Sequence, residues 1–136
     1  MNSRIIYPTD DGIAVIIPAA ECGLTIEEIA AKDVPAGKPY KIVDVADIPS
    51  DRTFRNAWEL NIGDVEVSHT KAQGITKDRL RQERAPLLTA LDVQYQRAQE
   101  DGRDTTIIIS EKQRLRDVTK LADKAATLDE LKALSA

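Results

Sequence analysis

The sequence contains few side chains of the kinds that catalyse reactions or bind metal ions. His69, the only histidine, is a candidate general base, but polar residues surround it and no serine or cysteine motif accompanies it. Cys22, the only cysteine, precedes a turn glycine in AECGL and has no basic neighbour that would activate a thiol. We therefore predict that His69 is a solvated surface residue and that Cys22 is chemically inert.

A loose group of three aspartates in the first half of the chain is a candidate cation site. Asp44, Asp47 and Asp51 lack the regular alternation and the glycine of a calcium-binding loop, which indicates turns and helix caps instead. One cysteine and one histidine exclude an internal disulfide and a CxxC zinc site. No glycine-rich segment has the spacing of a phosphate-binding loop. We predict a protein that is not an enzyme and that has no metal ion or cofactor.

Charge and hydropathy argue against nucleic acid and membranes as partners. The sequence has 19 basic and 23 acidic residues and a net charge of −4, so the chain as a whole has no electrostatic attraction to nucleic acid. Its densest basic cluster consists of Lys77, Arg79, Arg81 and Arg84. Acidic residues interrupt this cluster, which is typical of a solvated helix face. No apolar run approaches the roughly 18 residues that cross a membrane, and the N-terminus lacks the apolar core of a signal peptide.

The stretch LRQERAPLLTALD has the pattern of a helix but contains two residues that helices disfavour. Its apolar positions follow the spacing of a buried stripe: Leu80, Leu87, Leu88, Leu91, Tyr95 and Ala98. Arg84 falls inside this stripe, and Pro86 removes the donor for the carbonyl of Gln82. We predict a bend between Gln82 and Pro86. The competing interpretation is a new helix that begins at Pro86.

Residues 1–67 have the pattern of a small α/β domain. RIIY and IAVIIP flank a turn-rich loop at residues 8–12 and predict a β-hairpin. Thr25 and Glu28 form a capping box, so LTIEEIAAKDVP predicts a short helix that ends before Pro35. YKIVDV predicts a third strand, and DVEVS predicts either a last strand or the approach to the next helix.

The segment PSDRTFRNAWEL predicts another short helix, with Ser50 as its N-cap. Phe54, Ala57 and Trp58 would then lie on one face. Phe54 and Trp58 are candidate anchors for a protein partner, because buried aromatic residues dominate interface energetics. The alternative is that they are core residues that cover the small sheet, and we favour this alternative.

Residues 68–136 have the pattern of a helical region. One amphipathic helix is predicted up to about Glu100, and DGRD ends it. In TTIIISEKQRLRDVTKLA, five β-branched residues favour a strand. Asp104 as a cap and the spacing of Ile108, Leu115 and Val118 favour a helix antiparallel to the first, which is the interpretation we adopt. TLDELKAL begins with a second capping box and predicts a short terminal helix. The predicted fold class is α+β, with a small N-terminal antiparallel sheet, a C-terminal helical hairpin and a short last helix.

A two-part signature lies in the predicted hairpin. Its first part, R-x-x-R-x-x-L-L-x-x-x-D, consists of Arg81, Arg84, Leu87, Leu88 and Asp92. Its second part, in EKQRLRD, consists of Gln113, Leu115, Arg116 and Asp117. This signature, over residues 77–118, resembles the C-terminal region of bacteriophage tail fibre assembly proteins, which are tail assembly chaperones.

The resemblance implies a role for the arginines inside the apolar stripe. A hairpin that turns near Gly102 would bring Arg81 and Arg84 towards the end of the second helix. A guanidinium in an apolar stripe is tolerated when it is paired and hydrogen-bonded, and Asp117 or Asp92 is the expected partner. Leu87 and Leu88 would form the packing layer.

The function implied by the resemblance is that of a non-enzymatic phage tail accessory protein. It would bind the tail fibre, or another tail protein, and assist its folding, trimerisation or attachment. It would act in the cytoplasm of the infected bacterial host. The alternatives are a structural subunit that stays in the virion, at the neck, tail or fibre base, and a small phage inhibitor of a host factor. Three adjacent isoleucines at 107–109 spread around a helix too widely for one neighbour to cover. Either the N-terminal sheet or a second copy of the chain covers the remainder, and we favour the second copy, which makes a homo-oligomer.

Overall fold

The computed structural model describes residues 2–61 and 64–136, and its fold class is α+β, as the sequence predicts. Met1 and residues 62–63, which belong to the predicted N-terminal region, lie outside the described residues. The chain divides into two compact units, of which the first ends at Lys71 and the second begins at Ala72. The boundary predicted from the sequence, between residues 67 and 68, stays a prediction.

The first unit contains a three-stranded and a two-stranded antiparallel sheet. Strands β1 (Ser3–Thr9), β2 (Gly12–Ile16) and β3 (Lys41–Asp44) form the first sheet in the order β2-β1-β3. Strands β4 (Trp58–Asn61) and β5 (Asp64–Val67) form the second. The predicted hairpin and third strand are therefore confirmed, and DVEVS contributes a strand.

The turn between β1 and β2 is shorter than predicted. Thr9 pairs with Gly12 and Pro8 with Ile13, so residues 10–11 alone form the turn instead of a loop over residues 8–12. A proline is tolerated in a strand where no neighbour needs its missing donor. β3 pairs with β1 only from Ser3 to Ile6, so β1 has no second neighbour at Pro8.

The central strand β1 places side chains in two separate apolar clusters because successive residues point to opposite faces. Ile5 packs on one face with Ile29, Ala30 and Val34 of helix α1 and its C-cap. On the other face, Ile6 packs with residues that include Trp58.

Helix α1 (Ile26–Asp33) has the predicted capping box. The Thr25 hydroxyl accepts a 3.2 Å hydrogen bond from the Glu28 amide, and the Glu28 carboxylate accepts a 2.7 Å bond from the Thr25 amide. The helix ends with Val34 as its C-cap, before Pro35, as predicted.

The predicted helix with Ser50 as its N-cap is wrong. The structure has only a 3-10 turn at Arg55–Ala57, which Phe54 precedes without a side-chain cap, and Trp58 already begins β4. Asp51 organises the preceding turn instead, since its carboxylate accepts hydrogen bonds from the Thr53 amide and hydroxyl.

The second unit contains helices α3 (Thr106–Asp117), α4 (Lys120–Lys124) and α5 (Leu128–Ala133), and it contains α2 (His69–Glu100) from Ala72 onwards. α2 ends in a Schellman motif, in which Gly102 (φ +67°) donates to the Gln99 carbonyl and Arg103 donates to the Ala98 carbonyl. The Gly102 turn reverses the chain, and α3 runs back along α2. Among the described residues, no helix is both long and apolar enough to cross a membrane.

Helix α2 continues through Pro86, so the interpretation of a new helix that begins at Pro86 is wrong. Both Pro86 and Gln82 are exposed. The Gln82 carbonyl, which loses its helical donor, therefore lies where water can solvate it. The bend between Gln82 and Pro86 stays a prediction.

The isoleucine run forms a helix, as predicted. The predicted cap is wrong by one residue, because Thr105 is the N-cap of α3 and makes no side-chain cap bond. The Asp104 carboxylate accepts bonds from the amide and hydroxyl of Thr106 in the first turn of α3. The second capping box is only half formed. The Thr127 hydroxyl accepts from the Glu130 amide, but the Glu130 carboxylate accepts from the Ala126 amide and not from that of Thr127.

Candidate interaction site

Arg84 joins the two parts of the signature directly. Its Nη1 donates hydrogen bonds to the carbonyl oxygens of Leu115, at 3.3 Å, and of Arg116, at 2.8 Å. These carbonyls lie in the last turn of α3, where a helix carries partial negative charge. The Leu115 carbonyl also accepts from the amide of Val118, the C-cap of the helix, at 3.4 Å. A partly buried guanidinium therefore fastens α2 to the end of α3, and we name this contact the arginine clasp.

The predicted carboxylate partner of Arg84 is wrong. Asp117 lies two residues after Leu115 on α3, so its side chain projects from a different face. It accepts hydrogen bonds from Gln113 and from Lys120 on its own segment. Asp92 instead pairs with Lys112, whose Nζ lies 2.6 Å from its carboxylate. That pair does link α2 to α3, but through a lysine.

The other residues of the first motif take different positions. Arg81 is exposed and pairs with Asp78 one turn earlier on its own helix, so it is not part of the clasp. Leu88 is partly buried, whereas Leu87 is 44% exposed and does not form the predicted packing layer. In the second motif Leu115 is buried, while the side chain of Arg116 is exposed and only its carbonyl belongs to the clasp.

Arg79 forms a second contact of the same kind that the sequence analysis missed. Its Nη2 donates to the carbonyls of Leu131 and Leu134 at the end of α5, at 3.0 and 2.8 Å. Arg79 and Arg84 are five residues apart, which separates them by about 140° around α2. The spacing could have indicated this second contact, because two arginines on different faces of one helix can reach two different neighbouring helices.

Polar contacts also hold α4 against the beginning of the long helix. The Gln73 side chain donates to the Ala122 carbonyl at 3.1 Å, and Lys77 forms an ion pair with Asp123. Ala122 is fully buried. The helices of the second unit are thus held together at several points, by side chains that donate to carbonyls near helix ends and by ion pairs.

In the described part of the chain, the side chains that could catalyse a reaction or bind a metal ion are not grouped at one site. Cys22 is exposed, and its Sγ lies 3.9 Å from the Leu24 carbonyl. The Asp44 carboxylate accepts from the Ala46 amide, and Asp51 organises the turn described above, so both fit the predicted caps and turns. His69 is only partly exposed, at the start of α2. In the part of the chain that the structure describes, no three potential ligands are grouped to hold a metal ion.

Phe54 and Trp58 are core residues of the first unit, which is the alternative that we favoured from the sequence. Both are buried. The guanidinium of Arg55 lies 4.4 Å from the centre of the Trp58 ring and donates to the Ile13 carbonyl. Neither aromatic side chain presents a surface to a partner.

The chain was compared with protein-family models, with curated proteins and with solved structures. None of them matches it. The resemblance of residues 77–118 to tail fibre assembly proteins stays a prediction, and the function that it implies is argued below as a proposal.

Some large apolar side chains of the hairpin are exposed to solvent. Ile107 is 83% exposed and Ile109 is 49% exposed, and they point to opposite sides of α3. We expect self-association through these residues, so light scattering at micromolar concentration should give a mass above 15.0 kDa. Ile107→Ser should lower that mass, whereas Thr106→Ser, a change at the neighbouring exposed position, should not. A monomer mass for the wild-type chain would contradict the expectation.

Acid should weaken helix α3. Hydrogen bonds lower the pKa of one carboxyl just before α3 and of two within it: Asp104 through Thr106, Glu111 through Arg114, and Asp117 through Gln113. Because these pKa values are lower in the folded state, their stabilising effect is complete above the ordinary values of 3.8 and 4.5 and is lost as the pH falls through the folded-state values.

We therefore expect the urea midpoint, followed by circular dichroism, to stay level from pH 7 to about 5 and to fall below about 4. The double variant Asp104→Asn, Asp117→Asn should lose part of this acid dependence. Asp129→Asn is the control, since Asp129 is exposed and its contact with Lys132 is long, at 3.9 Å. If acid lowered the urea midpoint equally in the wild type, the double variant and the control, the acid dependence could not be assigned to Asp104 and Asp117.

Proposed function

We propose that this chain is a non-enzymatic bacteriophage tail accessory protein that binds the tail fibre and assists its folding or attachment. The observation that carries the proposal is the arginine clasp. It joins Arg84 of the first motif to the backbone of Leu115 and Arg116 in the second, so the two stretches of the signature are in contact in the fold. This supports the resemblance from which the function is inferred.

The surface of the hairpin supports a binding role. Leu87, Val93, Ile107 and Ile109 are all large apolar residues with more than a third of their surface exposed. They lie on both helices of the hairpin, two on α2 and two on α3. Large apolar side chains that are open to solvent favour contacts with other proteins. Because Arg84 and Lys112 join the two helices, the hairpin would present these side chains with little loss of conformational entropy on binding.

The proposal is tested by co-expression with the tail fibre protein encoded in the same genome. With the wild-type chain, we expect several times more soluble, trimeric fibre than without it. Ile107→Asp should reduce this gain because it places a charge in the exposed apolar surface, whereas Glu66→Asp, on the first unit, should not. An unchanged amount of trimeric fibre with and without the chain would contradict the assisting role.

Mass spectrometry of purified phage particles separates the proposal from the structural-subunit alternative. A chaperone should be absent from the particles or present only in traces. A subunit of the neck, tail or fibre base should appear in a fixed ratio to the major tail proteins. A fixed ratio would contradict the chaperone role and would favour a structural subunit of the virion.

A further inference from the structure

A pocket lies at the end of the three-stranded sheet where β1 begins. Ser3 pairs with Asp44, and Ile5 pairs with Ile16, so the start of β1 lies between the ends of β3 and β2. Arg4 lies on the face of Ile6, since residues two apart in a strand share a face. The pocket opens on this face and has a volume of about 250 Å³. We name it the sheet-end pocket.

The apolar wall of the sheet-end pocket continues the buried cluster around Ile6. Val15 and Ile48 pack against that cluster and also line the pocket. Ile17 and Val45, which directly follow β2 and β3, line it as well, with 63% and 38% of their surface exposed. The core thus extends into an open apolar surface at this end of the sheet.

Two arginines supply the charge of the pocket. Arg4 and Arg52 both line it, and no acidic residue is among its described lining residues. The Nη1 of Arg4 donates to the neighbouring Ser3 carbonyl at 3.0 Å. Burial, followed by the positive charge of Arg52, lowers the pKa of Arg55, so the guanidinium groups of Arg52 and Arg55 repel each other. The lining of the pocket is thus positively charged, although the chain carries a net charge of −4.

We propose that the sheet-end pocket binds an acidic peptide segment of a partner protein. An aspartate or glutamate carboxylate would lie between Arg4 and Arg52, and a neighbouring apolar side chain would pack on Ile17 and Val45. Guanidinium groups match carboxylates in geometry as well as charge. This site is on the first unit and does not depend on the tail fibre proposal.

The size of the pocket favours a peptide side chain over larger anions. Its volume lies below the roughly 300–1,000 Å³ of pockets that enclose a cofactor or a drug-sized molecule, so it suits one or two side chains. A strand of phosphates would place most of its charges outside a space of this size. A short ligand with one or two carboxylates fits within it.

The test is an NMR titration of the full-length chain labelled with nitrogen-15. The probe is the peptide acetyl-Val-Asp-Val-Glu-Val-amide, and its control is the same peptide with Asn and Gln in place of Asp and Glu. We expect the acidic peptide to shift the amide signals of Arg4, Ile17, Val45 and Arg52, and the amide peptide to leave them in place. Equal shifts with both peptides, or acidic-peptide shifts only elsewhere in the chain, would overturn the proposal.

Two variants and a nucleic-acid probe complete the design. Arg52→Gln should weaken binding of the acidic peptide by about two- to fivefold, as for an exposed ion pair. Arg81→Gln removes the same charge from the second unit and should leave the affinity unchanged. Tighter binding of a twelve-nucleotide single-stranded DNA at the same residues would show that the pocket takes phosphates and would overturn the proposal. The comparison of the two peptides uses only wild-type protein and remains decisive if a variant fails to fold.

Discussion

Leu115→Ala should lower the free energy of unfolding by about 3 kcal/mol, as expected for a large-to-small change at a buried leucine. Leu115 is only 1% exposed, and its carbonyl accepts from Arg84. The substitution would remove side-chain packing between α3 and its neighbours while it leaves that carbonyl in place. Urea denaturation followed by circular dichroism measures the change.

Leu87→Ala is the matched control for Leu115→Ala. Both leucines belong to the signature, but Leu87 is 44% exposed, so its truncation should cost less than about 1 kcal/mol. The difference between the two variants tests which leucine holds the hairpin together. Equal losses for the two would contradict the burial described for them.

Arg84→Met should lower the free energy of unfolding by about 2 kcal/mol, which is the range for hydrogen bonds made by a charged group. Methionine keeps an apolar stem but cannot donate to the carbonyls of Leu115 and Arg116. The loss is smaller than for a buried ion pair because the partners are uncharged carbonyls, and that of Leu115 keeps the Val118 amide as a donor once the guanidinium is gone. The same denaturation experiment measures it.

Arg81→Met is the control for the clasp. Arg81 is exposed and pairs with Asp78 on its own helix, so its loss should change stability by less than about 0.5 kcal/mol. The free energy of unfolding of Arg84→Lys should lie between those of the wild type and Arg84→Met, because an ammonium keeps the charge without the planar fork of donors. A loss at Arg81 as large as that at Arg84 would argue against the clasp.

Local signals in the sequence predicted most of the secondary structure. The capping box of Thr25 and Glu28 fixed the start of α1 because all its contacts lie within four residues. The isoleucine run formed a helix despite its β-branched residues, since burial of Leu115 and Val118 outweighs a small intrinsic preference. The prediction of a helix after Ser50 failed because Trp58, near the end of that segment, pairs with Val67 in a sheet, and this pairing competes with a helix.

Contacts between distant residues were harder to predict. The sequence indicated that Arg84 needs a partner on α3, but charge matching pointed to Asp117. The actual partners, the carbonyls of Leu115 and Arg116, are backbone atoms that every residue possesses, so no residue type reveals them. The sheet-end pocket was missed for a related reason. Arg4 and Arg52 are 48 positions apart in the sequence, and only the register of β1 with its neighbours places both at one pocket.

The central claim, that this chain binds a tail fibre through its helical hairpin, is tested most directly with purified proteins. The chain and the tail fibre encoded in the same genome are mixed at micromolar concentration and analysed by size-exclusion chromatography with light scattering. We predict a complex that contains both proteins, and we predict that Ile107→Asp removes it while Glu66→Asp leaves it intact. Separate elution of the two wild-type proteins, each at its own mass, would contradict the claim.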